Sequence, residues 1–136
     1  LNRLSRLDIP FVALILAQAM HSVEEYVFRL YDLLPPARAV SGAIGLDRAG
    51  GFAVVNTLLV GFGLACWFVW VRPGRRPARA VAFAWALLET LNGLGHFALA
   101  YAAGGYFPGL YTAPLLLILG IRLLARLLRG FSRAVP

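Results

Sequence analysis

Residues 9–31 read IPFVALILAQAMHSVEEYVFRLY, and this stretch decides the fold. It is as long as the roughly 20 apolar residues that cross a hydrocarbon core. Pro10 is acceptable in a first helical turn. The ionisable residues near its middle are grouped: His21, Glu24 and Glu25 fall at i, i+3 and i+4 and share one helix face, which Gln18 extends by a turn. With acids and a His at its centre, the stretch reads as a permanent membrane helix rather than a cleaved signal.

Three more apolar runs follow, at 49–71, 80–103 and 110–128, so the expected fold is all-α: one domain over 1–136, a polytopic four-helix transmembrane bundle. Composition agrees. The chain is 60% hydrophobic and 14% charged, against about 45–50% and about 25% in ordinary soluble domains. The segment 32–47, with Pro35-Pro36 and Gly42, reads as an external loop. The run Arg72-Pro-Gly-Arg-Arg-Pro-Ala-Arg79 reads as a turn, and Gly104 to Gly109 as a break.

The formal charge is +7, and all 13 basic residues are Arg. They sit at the ends of apolar runs, which fits membrane topology and not nucleic-acid binding. Arg3, Arg6, Arg72, Arg75, Arg76, Arg79, Arg122, Arg126, Arg129 and Arg133 fall on one side; Arg29, Arg38 and Arg48 fall on or near the other. The positive-inside rule then places both termini and the middle turn in the cytoplasm, with the lipid bilayer as the main partner. The single Cys66 excludes an intrachain disulfide. There is no dinucleotide fingerprint, P-loop, C-x-x-C or H-E-x-x-H.

Charge in hydrocarbon is costly and marks function. Glu89, Asn92 and His96 form a second stripe, at i, i+3 and i+7, and Asn56 adds a polar group on the second run. At about 1.5 Å of rise per residue, His21 and Asn92 lie roughly 20 and 18 Å above the inner side; Glu24 and His96 lie near 24 Å. Asn56 descends about 10 Å from the outer side to a similar level. Two stripes and an Asn on three helices thus meet at one depth. Gly93 and Gly95 read as sites of close helix contact, and Asn56 and Asn92 as packing or supporting partners. Thr112 is the only polar residue that the fourth run brings inward.

The motifs His21-Ser-Val-Glu24-Glu25, Asn92-Gly-Leu-Gly-His96 and Tyr106-Phe-Pro108-Gly109 occur in order over about two-thirds of the chain. They resemble the HXXEE family of small bacterial membrane proteins. The resemblance implies shared architecture, a shared site and a bacterial cytoplasmic membrane, but no reaction. It picks out His21, Glu24, Glu25, Asn92, His96, Tyr106, Pro108 and Gly109; Glu89 and Asn56 come from periodicity and depth.

Two imidazoles and up to three carboxylates suit a borderline divalent metal, Zn or Fe foremost. The expected ligands are His21, Glu25, Glu89 and His96, with Glu24 a ligand or base. Because Glu89 is stretched along the axis from His96, it is also weighed as a supporting partner of His21, with Glu24 then taking its ligand place. Tyr106 is expected to turn its hydroxyl toward Glu24, Glu25 or a ligand as the 106–109 turn folds back over the cluster. An open metal position would activate water or oxygen beside a lipid-like small molecule. One alternative is a metal-free Glu/His acid–base isomerase or hydrolase, since burial brings carboxyl and imidazole pKa values toward neutrality. The other is a proton or ion carrier, or an accessory membrane subunit.

Overall fold

In the computed structural model, which describes residues 7–43 and 46–132, every regular element is helical. The order is α1 (Asp8–Val27), α2 (Leu30–Leu33), α3 (Pro35–Ala43), α4 (Arg48–Cys66), α5 (Ala78–Ala103) and α6 (Ala113–Ser132). A π-helical turn, Trp67–Val71, continues α4. Arg3, Arg6 and Arg133 lie outside the described residues.

The first helix ends at Val27, earlier than its apolar run. Arg29 adopts a left-handed conformation (φ 58°, ψ 43°) and turns the chain out of α1. For a residue with a Cβ this costs about 1–2 kcal/mol. An ion pair with Asp32 helps hold it, with Nη2 at 2.8 Å from Oδ2 and Nε donating at 2.9 Å. The same hydrogen bond holds the Asp32 carboxyl below its ordinary range. The segment expected as a loop therefore contains α2 and α3. Asp47 then caps α4 by accepting from the Gly50 amide at 3.1 Å, satisfying one of the free donors of a helix start.

An apolar cluster around Phe11, Leu14, Ile15, Trp85, Leu116 and Leu123 fills one end of the bundle. A smaller one of Leu30, Tyr31 and Phe52 closes the other. Between them along α1 lie Gln18, His21, Glu24 and Glu25, all buried, as are Glu89 and His96 of α5. Large apolar side chains point the other way. Leu16, Met20 and Val23 of α1, Leu58 and Phe62 of α4, Leu88, Leu91 and Leu94 of α5, and Ile118 and Ile121 of α6 are all exposed. Buried polar groups and broad exposed apolar surface are the informative departures from an ordinary globular distribution. Among the described residues, Arg48–Val71 is the one helix long and apolar enough by itself to cross a membrane.

α5 and α6 approach most closely where glycine permits it. A Cβ on Gly93 would lie 2.9 Å from the Ala113 carbonyl oxygen and 3.0 Å from Cγ of Leu117, and one on Gly120 would lie 3.1 Å from the Ala86 carbonyl oxygen. Gly95, expected to serve the same purpose, faces open space. The two glycines should therefore respond oppositely to alanine. In thermal or denaturant unfolding of the purified protein, Gly93→Ala should destabilise by about 1–3 kcal/mol through overpacking against backbone. Gly95→Ala should stabilise by about 0.5–1 kcal/mol, because alanine restricts the helical backbone without a clash. Equal effects would contradict this packing.

Candidate metal centre

Glu24 and Glu25 are adjacent, and a helix sends adjacent side chains about 100° apart. They consequently serve different neighbours. Glu24 faces the segment 106–112, which returns from the end of α5 to the start of α6. Its Oε1 accepts from the Tyr106 hydroxyl at 2.8 Å, the Gly109 amide at 3.1 Å and the Tyr111 amide at 3.0 Å. Its Oε2 accepts from the Thr112 amide at 2.8 Å and the Thr112 hydroxyl at 2.6 Å. Successive backbone amides that converge on one anion form a nest, and here two hydroxyls complete it. Hydrogen bonds to a charged group contribute about 1.5–3 kcal/mol each, which offsets the cost of burying the carboxylate. Glu24, expected as a ligand or base, is thus the anchor of this segment, with both oxygens engaged.

The returning segment starts where α5 ends in a left-handed Gly104 (φ 69°), with the Gly105 amide donating to the Ala100 carbonyl at 3.1 Å. This is a common helix stop. Tyr106 stacks on Tyr111 at 4.6 Å, and Phe28 meets Tyr106 edge-on at 5.2 Å. Partial burial and the hydrogen bond to Glu24 hold the Tyr106 phenol above its ordinary pKa, so it remains a donor. Gly109 has φ 95° and lies directly against both imidazoles. A Cβ there would stand 2.5 Å from Cε1 of His96 and 2.8 Å from Cε1 of His21. The expected fold-back over the cluster is present, and only glycine fits at its closest point.

Glu25 faces inward. Its Oε1 lies 3.4 Å from Nε2 of His21 and 3.1 Å from Nε2 of His96. The two rings meet edge-to-face with centroids 4.5 Å apart. His21, Glu25 and His96 each offer a ligand atom, all within 4.8 Å of one another, and all three residues are buried. For metal–ligand bonds of 2.0–2.1 Å, a tetrahedron has donor–donor edges of about 3.3–3.4 Å. The two distances to Glu25 bracket that value.

Thr112 fixes which nitrogen of His21 faces the cluster. Its hydroxyl has one proton, given to Glu24 at 2.6 Å, so at 2.7 Å from His21 Nδ1 it accepts. His21 therefore carries a proton on Nδ1 and turns Nε2 toward the cluster. Nε2 lies toward a carboxylate oxygen and has no hydrogen-bond partner. A buried acceptor facing an acceptor is unfavourable unless a cation or proton lies between them. Nδ1 of His96 also lacks a partner.

Of the remaining candidates, Glu89 is buried but outside the converging group of three. Asn92 lies close to it, yet neither carboxylate oxygen receives a well-formed hydrogen bond. Asn92 and Asn56 belong to a ladder that ties three helices together. Asn92 Nδ2 donates to Gln18 Oε1 at 3.3 Å, Gln18 Nε2 to Ser22 Oγ at 3.0 Å, and Ser22 Oγ to Asn56 Oδ1 at 2.7 Å. Thr112 was recognisable in the sequence only as a lone inward polar residue. Its two roles, on Glu24 and on His21, needed the return of the chain.

No curated protein and no solved structure matches the chain. A family described as "Protein of unknown function with HXXEE motif" matches residues 12–123. That span contains His21, Glu24, Glu25, His96, Gly109 and Thr112, so the whole clamp and the converging donors fall within it. The chain belongs to the HXXEE family.

Proposed function

We propose that this chain is a four-helix integral membrane protein holding one divalent metal ion between His21, Glu25 and His96, and that it acts on an apolar, bilayer-dissolved substrate. The observation that carries the metal reading is the buried His21 Nε2, aimed at Glu25 Oε1 without a hydrogen-bond partner, beside the equally buried Nε2 of His96. A cation at the common point would take these three groups as ligands, each imidazole giving a deprotonated Nε2 and Glu25 its carboxylate. Two His and one carboxylate form a donor set shared by catalytic zinc and non-haem iron sites, both of which keep positions open for water or substrate. There the metal would polarise a substrate oxygen or activate water. Glu24, Thr112 and Gly109 would position His21 and roof the site, and Tyr106 would hold the roof closed.

The membrane reading is supported by the outward apolar faces of all four long helices and by the inward polar groups. α1, with 20 residues, is roughly 30 Å long, the thickness of a hydrocarbon core. Its inward acids lower its average hydropathy without meeting lipid. The Arg distribution favours cytoplasmic termini in the bacterial inner membrane. Reporter fusions at Ala39 and Gly105 should accordingly read as extracytoplasmic. A cytoplasmic signal at either would overturn this topology.

Element analysis of the detergent-purified protein should find about one zinc or iron per chain, as expected for a site with one set of three ligands. His21→Ala and His96→Ala should each lose it while remaining membrane-inserted, since alanine is easier to bury than histidine. Full retention in both variants, or no metal in the native protein, would overturn the metal centre and leave a metal-free Glu/His acid–base pair in its place.

A further inference from the structure

On the opposite edge of α1 from Glu24, a groove of about 330 Å³ runs between α1 and α4. Its volume is at the lower end of the range of about 300–1,000 Å³ typical of small-molecule sites. Ala19, Val23 and Tyr26 form one wall, and Phe52, Ala53 and Val60 the other. Its polar side chains are Ser22, Asn56, Thr57 and the hydroxyl-bearing Tyr26, and no charged side chain lines it.

The hydrogen bonding of Asn56 is incomplete. Its amide nitrogen gives one proton to the Phe52 carbonyl at 3.1 Å, and its oxygen accepts one hydrogen bond from Ser22. A carboxamide has two N–H donors and two acceptor lone pairs. One of each is left over, beside the groove. Ser22 is itself held by Gln18, so Asn56 is fixed from behind by the ladder and cannot easily turn away.

We infer that this groove binds a single long hydrocarbon chain bearing a neutral hydroxyl head, a long-chain alcohol, with the hydroxyl donating to Asn56 Oδ1 and accepting from Asn56 Nδ2. The apolar walls take the chain. The remaining donor and acceptor match a hydroxyl, which supplies one of each. The absence of any cation among the lining residues disfavours phosphate and carboxylate heads, whose burial without a counter-charge is costly. The groove is built from α1 and α4 alone, so the assignment does not depend on the metal centre.

The test is photolabelling of the full chain in nanodiscs with a diazirine-bearing hexadecanol, with the adducts mapped by mass spectrometry. Adducts should concentrate at Val23, Tyr26, Ala53 and Thr57. Excess hexadecanol should suppress them and excess hexadecane should not. Asn56→Leu should weaken labelling about tenfold, the worth of one or two neutral hydrogen bonds. Ala53→Trp fills the groove without touching the ladder and should abolish labelling, with metal content unchanged; it keeps the test valid if Asn56→Leu fails to fold. Labelling spread evenly over the apolar faces of all helices would overturn the assignment. So would equal competition by hexadecane, or labelling undiminished by Ala53→Trp.

Discussion

A carboxylate buried without donors would force a chain apart, and Glu24 is spared that by five donors drawn from a single short segment. This anchoring is the constraint on which the centre of the molecule depends. It ties the middle of α1 to the start of α6 and pulls residues 106–112 over the interior. It also brings the bare backbone of Gly109 against two imidazoles. The donors belong to a segment that has to turn, so its amides would otherwise lack partners. Fold and site share one solution: the groups that need acceptors surround the group that needs donors.

The anchor reaches the chemistry through one atom. Thr112 Oγ1 cannot donate to both Glu24 and His21, and its donation to the carboxylate makes it an acceptor for the ring. The imidazole is thereby oriented, with Nδ1 as its donor and Nε2 toward Glu25. Glu25, one residue from Glu24, lies beside two imidazole nitrogens. The two acids of the motif thus divide the work. One anchors the returning segment, and the other lies beside both histidines.

Much of this was legible in the sequence. Helical periodicity put His21, Glu24 and Glu25 on one face, and depth arithmetic matched that face to His96 on a helix far along the chain. The division between Glu24 and Glu25 was not legible, because shared periodicity says nothing about what each side chain meets across the bundle. Most of the donors to Glu24 are backbone amides or come from Thr112, and amides carry no signature in a sequence. Glu89 shares a stripe with His96, but a separation of seven residues is about 10 Å of rise, which leaves it outside the converging group. The helix stop at Arg29 was hidden for a related reason: a left-handed arginine is uncommon and here depends on an ion pair with Asp32. Gly93 and Gly95 looked alike in the sequence and differ only in which side of α5 they occupy.

The central claim is that a divalent ion completes the His21, Glu25 and His96 cluster. X-ray absorption at the metal edge of the purified protein tests it most directly, because it reads the ligands rather than the metal content. The account predicts two imidazole nitrogens and at least one oxygen at about 2.0–2.1 Å, with the outer-shell scattering characteristic of histidine rings. A coordination shell without imidazole, or one containing sulfur from Cys66, would contradict it.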